Sequence, residues 1–200
     1  MIQAVLFDID GVLVSTKPLH QMSFISALKQ HGHNLSEKDH EQLDGLSTRE
    51  KLSRLGIHDT ENKIFLTKKE ITFKNIDRFV NLDKNLIEIF NYLKTNNYKI
   101  GICSNAIKEF CNLIIEKLGI KDYIDVILSN EDVCFPKPNP EIYLKCMQLL
   151  NEIPNNCLIL EDSKFGLSAA FSSGANVFYI ENPNHLTLEK LKKYLEVYKC

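Results

Sequence analysis

The sequence predicts an α/β fold: a parallel sheet with helices on both faces and an all-helical segment inserted after the first strand. Two observations carry this. Short apolar runs recur along the chain, and amphipathic helical patterns lie between the later ones, the alternation that builds a parallel sheet. The alternation breaks once, from Lys17 to about Asn81, where helical patterns occur without a convincing strand. A chain of 200 residues is long enough for one sizeable core plus a small insert.

The elements follow in order. Ile2 to Phe7 is a short apolar run suited to a central strand buried on both faces. In the insert, "HQMSFISALKQHG" places Met22, Ile25 and Leu28 on one helical face. "STREKLSRLG" opens with Ser47 as cap and Glu50 three residues on, a capping box. "NKIFLTKKEITFKNIDRFV" is a longer amphipathic stretch. The α/β pattern then resumes with the helical "NLIEIFNYLKTN" and the strand Lys99–Cys103. "FCNLIIEKLG" ends in Gly119, a helix-terminating glycine. The strand Asp125–Leu128 precedes "PEIYLKCMQLL", where Asn139 caps and Pro140 takes the first helical position. Cys157–Leu160, the helix "KFGLSAAFSSG" and Asn176–Ile180 complete the pattern. The predicted domains are a core of residues 1–15 and 82–200 and a helical domain of residues 16–81. No internal repeat or low-complexity segment stands out.

Composition narrows the function. The chain is 44% apolar and 25% charged, with a formal net charge of -2, which gives no electrostatic reason to expect nucleic-acid binding. "TKKE", Thr67 to Glu70, is the nearest approach to a charge run and reads as a solvated helix face. No apolar run approaches the roughly 20 residues of a membrane span. The N-terminus lacks the basic region and cleavage site of a signal peptide. The six cysteines stand at 103, 111, 134, 146, 157 and 200, with no CxxC pair. They read as reduced thiols, mostly buried, and a cytoplasmic setting is the default expectation.

In open α/β sheets, ligands bind beyond the carboxyl ends of the strands. Asp8, Asp10 and Gly11 follow the first strand; Ser104 and Asn105 follow the second. Lys137 lies between two prolines in "CFPKPNPEIY", after the third. Glu161, Asp162 and Ser163 follow the fourth. Turn chemistry explains single Asn, Asp and Ser residues there, but not a lysine between prolines together with acids at two strand ends. Asp8, Glu161 and Asp162 make an oxygen-rich set suited to Mg²⁺, and without a cation they would repel one another. Lys137 and the Ser104 hydroxyl can hold a phosphoryl oxygen. One aspartate of the "DID" pair can attack phosphorus while the other works as acid and then base. Gly11 allows the sharp turn that brings both to one place.

Together these motifs, "DIDGV", "CSNA", "FPKPNPEIY" and "LEDSKFGLSAA", resemble the haloacid dehalogenase superfamily over essentially the whole chain. The resemblance implies a Rossmann-like core, a Mg²⁺ cofactor and an aspartyl-phosphate intermediate. It implies that Asp8 is the nucleophile and Asp10 the acid/base. Ser104, Asn105 and Lys137 would bind phosphate, and Asp8, the Asp10 carbonyl, Glu161 and Asp162 would hold the metal. The insert resembles the α-helical cap of the subfamily holding β-phosphoglucomutase and phosphoglycolate phosphatase. His20, at the start of the first cap helix, would orient Asp10 across the hinge, and Arg49 would meet the substrate from the cap. Phe24 reads as cap core.

There are departures. Ser15 replaces the usual acid at the hinge, and Pro136 replaces the small residue before the motif lysine. Asp44 stands where the β-phosphoglucomutase branch carries a basic residue. Retention of Asp10 points to phosphate esters rather than to the dehalogenases or phosphonatases of the superfamily. The lost cap cation favours hydrolysis of a small phosphorylated metabolite by a phosphatase, and a monomer is the default expectation for this size and charge. A phosphomutase is the alternative within the superfamily, and a non-catalytic phosphate switch or scaffold is the alternative outside enzymes.

Overall fold

The structure, a computed structural model, describes residues 1–198, with residues 37 and 38 described without their side chains. Five parallel strands form one sheet among the described residues: β1 (Ala4–Phe7), β2 (Lys99–Cys103), β3 (Val126–Leu128), β4 (Cys157–Glu161) and β5 (Asn176–Tyr179). Their order is β3-β2-β1-β4-β5, so β1 is central. Val5 pairs with Ile100 on one side and with Leu158 on the other. The chain builds outward to β3 and then crosses back over β1 to β4. Strand order therefore reverses beside β1, and that is where such sheets open a ligand crevice.

Alternation along the strands divides the core into two layers. Val5, Phe7, Ile100, Ile102, Leu158 and Leu160 face one way. They pack against α5 (Lys84–Thr95), α6 (Lys108–Lys117) and α9 (Leu188–Val197), through residues such as Phe90, Ile114 and Leu191. Leu6, Cys103 and Ile159 face the other way, against α7 (Glu141–Leu149) and α8 (Lys164–Ser172), through Tyr143, Met147 and Ala169. The period of two along a strand makes both faces apolar at once.

Between β1 and α5 lie α1 (Lys17–Gln30), α2 (Glu37–Glu41), α3 (Thr48–Arg54) and α4 (Lys63–Asn75), with a 3-10 turn at Ile76–Arg78. These helices have a small core of their own: Phe24, Ala27, Leu28, Leu52 and Ile64. Leu19 at its entry and Ile76 and Val80 at its exit are buried in the main core, so both crossings are anchored there. The Ser47–Glu50 capping box forms in full, with Ser47 Oγ accepting from the Glu50 N–H and Glu50 accepting from the Ser47 N–H.

The expected elements are present, with small changes at their ends. Ile2 is buried but precedes β1. Pro140 occupies the cap position of α7 rather than its first helical position, although Asn139 still accepts a hydrogen bond from the Glu141 N–H. The structure adds two helices to the expected set. Helix α2 is only five residues long, too short for a periodic pattern. Helix α9 has the pattern, with Leu188, Leu191 and Leu195 packed on the sheet. Cys103, Cys111, Cys146 and Cys157 are buried free thiols and Cys134 is exposed; Cys200 lies outside the described residues. No helix among the described residues is long and apolar enough to cross a membrane.

The Phe90 ring is fully buried and stacks on Phe7 with centroids 5.0 Å apart. Phe90→Ala should therefore cost about 3–5 kcal/mol, read as a lowered midpoint in urea unfolding.

Candidate active site

The strand ends converge as expected. Asp8 leaves β1, Glu161 closes β4, and the loop before α7 lowers Lys137 between them. Lys137 Nζ lies 2.6 Å from Asp8 Oδ1 and 3.2 Å from Glu161 Oε1, and donates to the Cys103 carbonyl at 2.8 Å. The lysine is 1% exposed. The Tyr143 ring lies beneath it, with its centroid 4.7 Å from Nζ. Burial alone would drive the proton off Lys137, but Asp8 and Glu161 outweigh it and hold the ammonium well above its ordinary pKa. Burial pushes Asp8 upward, opposed by Lys137 and reinforced by Glu161 and Asp162.

One ammonium does not balance these acids. Asp8, Glu161 and Asp162 each present an oxygen within 4.8 Å of the others. Asp162 Oδ1 is buried without a hydrogen-bond partner. Burial raises Asp162 to about 6 even though Lys17 contacts its other oxygen. An all-oxygen donor set with surplus negative charge and an orphaned carboxylate oxygen fits a hard divalent cation such as Mg²⁺. The walls leave no slack. A Cβ at Gly11 would collide with the Asp162 carboxylate, and one at Gly166 with that of Glu161. Gly11 also adopts φ +98°, a conformation that L side chains rarely take.

Asp10 turns the other way. Its Oδ1 accepts from the Thr16 hydroxyl and lies 3.2 Å from His20 Nε2. His20 Nδ1 lies 3.1 Å from Lys68 Nζ on α4. Burial would raise Asp10, but His20, Lys68 and Lys51 outweigh it and hold Asp10 below its ordinary value. The two aspartates of the "DID" motif thus sit in opposite environments, one among acids and the other among cap bases.

Ser104 is buried, lines the cavity, and its Oγ accepts from the Ala106 N–H. The Asn105 amide does more than the sequence indicated. It donates to the carbonyls of Gly45 (2.9 Å) and Lys137 (3.0 Å) and accepts from the Lys137 N–H. It thereby fastens both the lysine loop and the cap to β2.

Between sheet and cap lies a cavity of about 90 Å³, whose core-side walls are Asp8, Asp10, Ser104, Asn105 and Lys137. His20 lines it, and Phe24 both lines it and belongs to the small core of the inserted helices. Arg49 is not brought there. It is exposed, with its guanidinium 5.8 Å from the centroid of the Phe65 ring. Thr48 and Lys51, three residues apart on α3, share the cavity side, and Arg49 is not among the lining residues. "TKKE" also needs correcting: Lys68 and Lys69 line the cavity rather than a solvated face.

Lys17, Lys51, Lys68 and Phe65 were not recognised from sequence. The spacing of Phe65, Lys68, Lys69 and Thr72 marks one helical face, but polarity alone reads that face as solvent-exposed. Lys17 contacts Asp162 and lies 3.3 Å from Asp44 Oδ2, so Asp44 is itself neutralised. Lys51 Nζ lies 3.2 Å from His40 Nε2. His40 is buried, and burial together with Lys51 drives its pKa down to about 4.

A parallel sheet whose reversal point gathers acids and a lysine beneath a helical lid defines an α/β enzyme with a capped active site. Comparison with known proteins supplies the family. The profile of the haloacid dehalogenase-like hydrolases matches residues 5–180, and the chain belongs to that family. The phosphorylated carbohydrates phosphatase of Thermotoga maritima is 26% identical over 185 residues, covering 88% of this chain and 84% of its own. The pyrophosphatase PpaX of Bacillus mycoides is 27% identical over 208 residues, covering 99% and 90%. Among solved structures, β-phosphoglucomutase from Clostridium difficile matches with a TM-score of 0.83 at 26% identity, with 99% of each chain covered.

Two outcomes follow from the electrostatics. Lys137→Met leaves Asp8 and Glu161 facing one another unneutralised, and chemical denaturation should show a loss of about 3–5 kcal/mol in metal-free buffer. His40 is neutral above pH 6.5 in both folded and unfolded chains. As pH falls from about 6.5 to about 4, the unfolded chain takes up a proton that the folded site refuses. Stability should fall by about 3 kcal/mol across that window, and His40→Gln should flatten that part of the stability–pH curve.

Proposed function

We propose that the protein is a Mg²⁺-dependent phosphatase that hydrolyses a small phosphorylated metabolite through an aspartyl phosphate. The carrying observation is the divided environment of Asp8 and Asp10, which line one cavity from the end of one strand. Asp8 stands beside the Lys137 ammonium, and Asp10 is held by Thr16 and His20 at the cap hinge.

In this mechanism an Asp8 carboxylate oxygen attacks phosphorus as the bond to the leaving oxygen breaks. His20, Lys68 and Lys51 keep Asp10 ionised in the empty site; the negative charge of an entering phosphate raises its proton affinity, and Asp10, having taken a proton from solvent, gives it to that oxygen. It then takes a proton from water, which attacks phosphorus, releases inorganic phosphate and restores the Asp8 carboxylate. Lys137 and Ser104 hold the phosphoryl oxygens. Asn105 keeps the Lys137 loop in place. Asp8, Glu161, Asp162 and the Asp10 carbonyl would hold Mg²⁺, which supplies positive charge where phosphoryl and carboxylate oxygens meet. The cap, residues 16–81, opens to admit substrate and closes to exclude bulk water. The size of the cavity suits a small molecule.

The activities named for the relatives, a phosphorylated carbohydrates phosphatase and a pyrophosphatase, agree with phosphate-ester or anhydride hydrolysis. A phosphomutase is the second reading. The cation missing at Asp44 weighs less against it than the sequence alone suggests, because Lys51 and Lys68 bring positive charge into the cavity from the cap.

Phosphate release should be measured with Mg²⁺ on sugar phosphates, phosphoglycolate, nucleotides and an aryl phosphate. Asp8→Asn and EDTA should each abolish release, and Asp10→Asn should lower kcat by about 10²–10⁴-fold. Conversion of hexose 1-phosphate to 6-phosphate with a bisphosphate primer, without net release, would instead establish the mutase. Silence in both assays from folded protein would rule out both enzymes and leave the switch or scaffold.

A further inference from the structure

We infer that the substrate is the phosphate ester of an alcohol bearing an apolar ring, and that a row of phenylalanines leading away from Asp10 receives that ring. Phe73 and Phe65 on α4 are the specificity-determining residues. The inference rests on the phosphatase reading and adds a substrate class to it.

The acid/base gives the direction. The leaving oxygen takes its proton from Asp10, so the group attached to that oxygen lies on the Asp10 side of the floor. Asp10 Oδ1 is 3.2 Å from His20 Nε2. The His20 ring centroid lies 4.7 Å from that of Phe110, and the Phe110 centroid lies 6.3 Å from that of Phe73 in an edge-to-face arrangement. All three rings line the cavity. Phe110 belongs to α6 of the core and Phe73 to α4 of the insert, so the row joins the two walls. Phe65, Lys69 and Phe73 recur at four-residue steps on α4 and share one helical stripe. Phe65 and Phe73 are only half-buried, and Leu46 and Ile107 add aliphatic surface to the same cavity. Apolar area that water wets is area that an apolar ligand covers with a gain in free energy.

The polar lining above the floor does not suit a sugar. Hydroxyls both donate and accept, so a polyol needs partners of both kinds. The polar side chains there are already engaged by the protein. The Asn105 amide is bound to the main chain of Gly45 and Lys137. Ser47 donates to Glu50, Thr72 donates to the Lys68 carbonyl, and Asn130 donates to the Asn105 carbonyl. Asp44 pairs with Lys17. The cap lysines offer donors only. A sugar competes with these contacts, whereas an apolar ring leaves them intact.

The test is calorimetric binding to Asp8→Asn protein with Mg²⁺, in which turnover is blocked. Benzyl phosphate and glucose 6-phosphate each carry a six-membered ring one methylene from the ester oxygen and differ in polarity. Benzyl phosphate should bind tenfold or more tightly, with the more negative heat-capacity change. Phe73→Gln and Phe65→Gln in the same background should each reduce the preference several-fold, the double variant should erase it, and Phe73→Leu should keep most of it. Inorganic phosphate occupies the floor alone and should bind all of these variants equally. If the double variant no longer binds phosphate, the single variants decide. Equal or tighter binding of glucose 6-phosphate, or a preference unchanged by the glutamine substitutions while phosphate still binds, overturns the inference and leaves the phosphatase reading standing. No binding of phosphate or of either ester overturns both. Turnover of benzyl phosphate by the unsubstituted protein is measured separately. Its absence beside an intact binding preference would reject the phosphatase and not the apolar subsite.

Discussion

The Lys137 ammonium reaches the Asp8 carboxylate, the Glu161 carboxylate and the Cys103 carbonyl at once. Through these contacts it ties the ends of β1, β2 and β4 to the loop before α7. Two buried carboxylates this close would repel one another without a shared cation. The site therefore depends on a charge delivered by a loop far away in sequence. The surrounding structure keeps that loop in place: Asn105 grips its backbone from β2, and the Tyr143 ring supports the ammonium from below. Gly11 and Gly166 let the main chain approach the acids more closely than any side chain would allow.

A second set of polar contacts joins the cap to this floor. Asn105 donates to the Gly45 carbonyl, Lys17 contacts Asp162, and Lys69 pairs with Glu109. These contacts are polar and partly exposed, whereas each crossing is anchored by apolar residues, Leu19 on one side and Ile76 and Val80 on the other. Polar contacts at a mouth can exchange with water at small net cost. Buried apolar anchors cannot. The insert is thus held to the core by apolar packing at its two crossings and by polar contacts at its rim. The entry to the helical insert also carries Thr16 and His20, which hold Asp10.

Much of the fold was legible because its signals are local. Apolar strands, helix-ending glycines and the capping box each act within a few residues, and the structure shows them at Phe7, Gly119 and Ser47. Helix α9 was legible in principle through Leu188, Leu191 and Leu195. The short α2 was not, because five residues cannot display a period.

The sequence by itself determined the sheet, the insert, the core-side acids and Lys137. Strand ends in a parallel sheet meet at one edge whatever the details of packing. Only the tertiary structure decided the cap wall. Whether Lys51, Lys68 or Arg49 faces the cavity depends on the rotational phase of each helix and on which other helix it meets. A lysine on a helix surface has the same local signature whether the space beyond it is bulk solvent or an enclosed cavity.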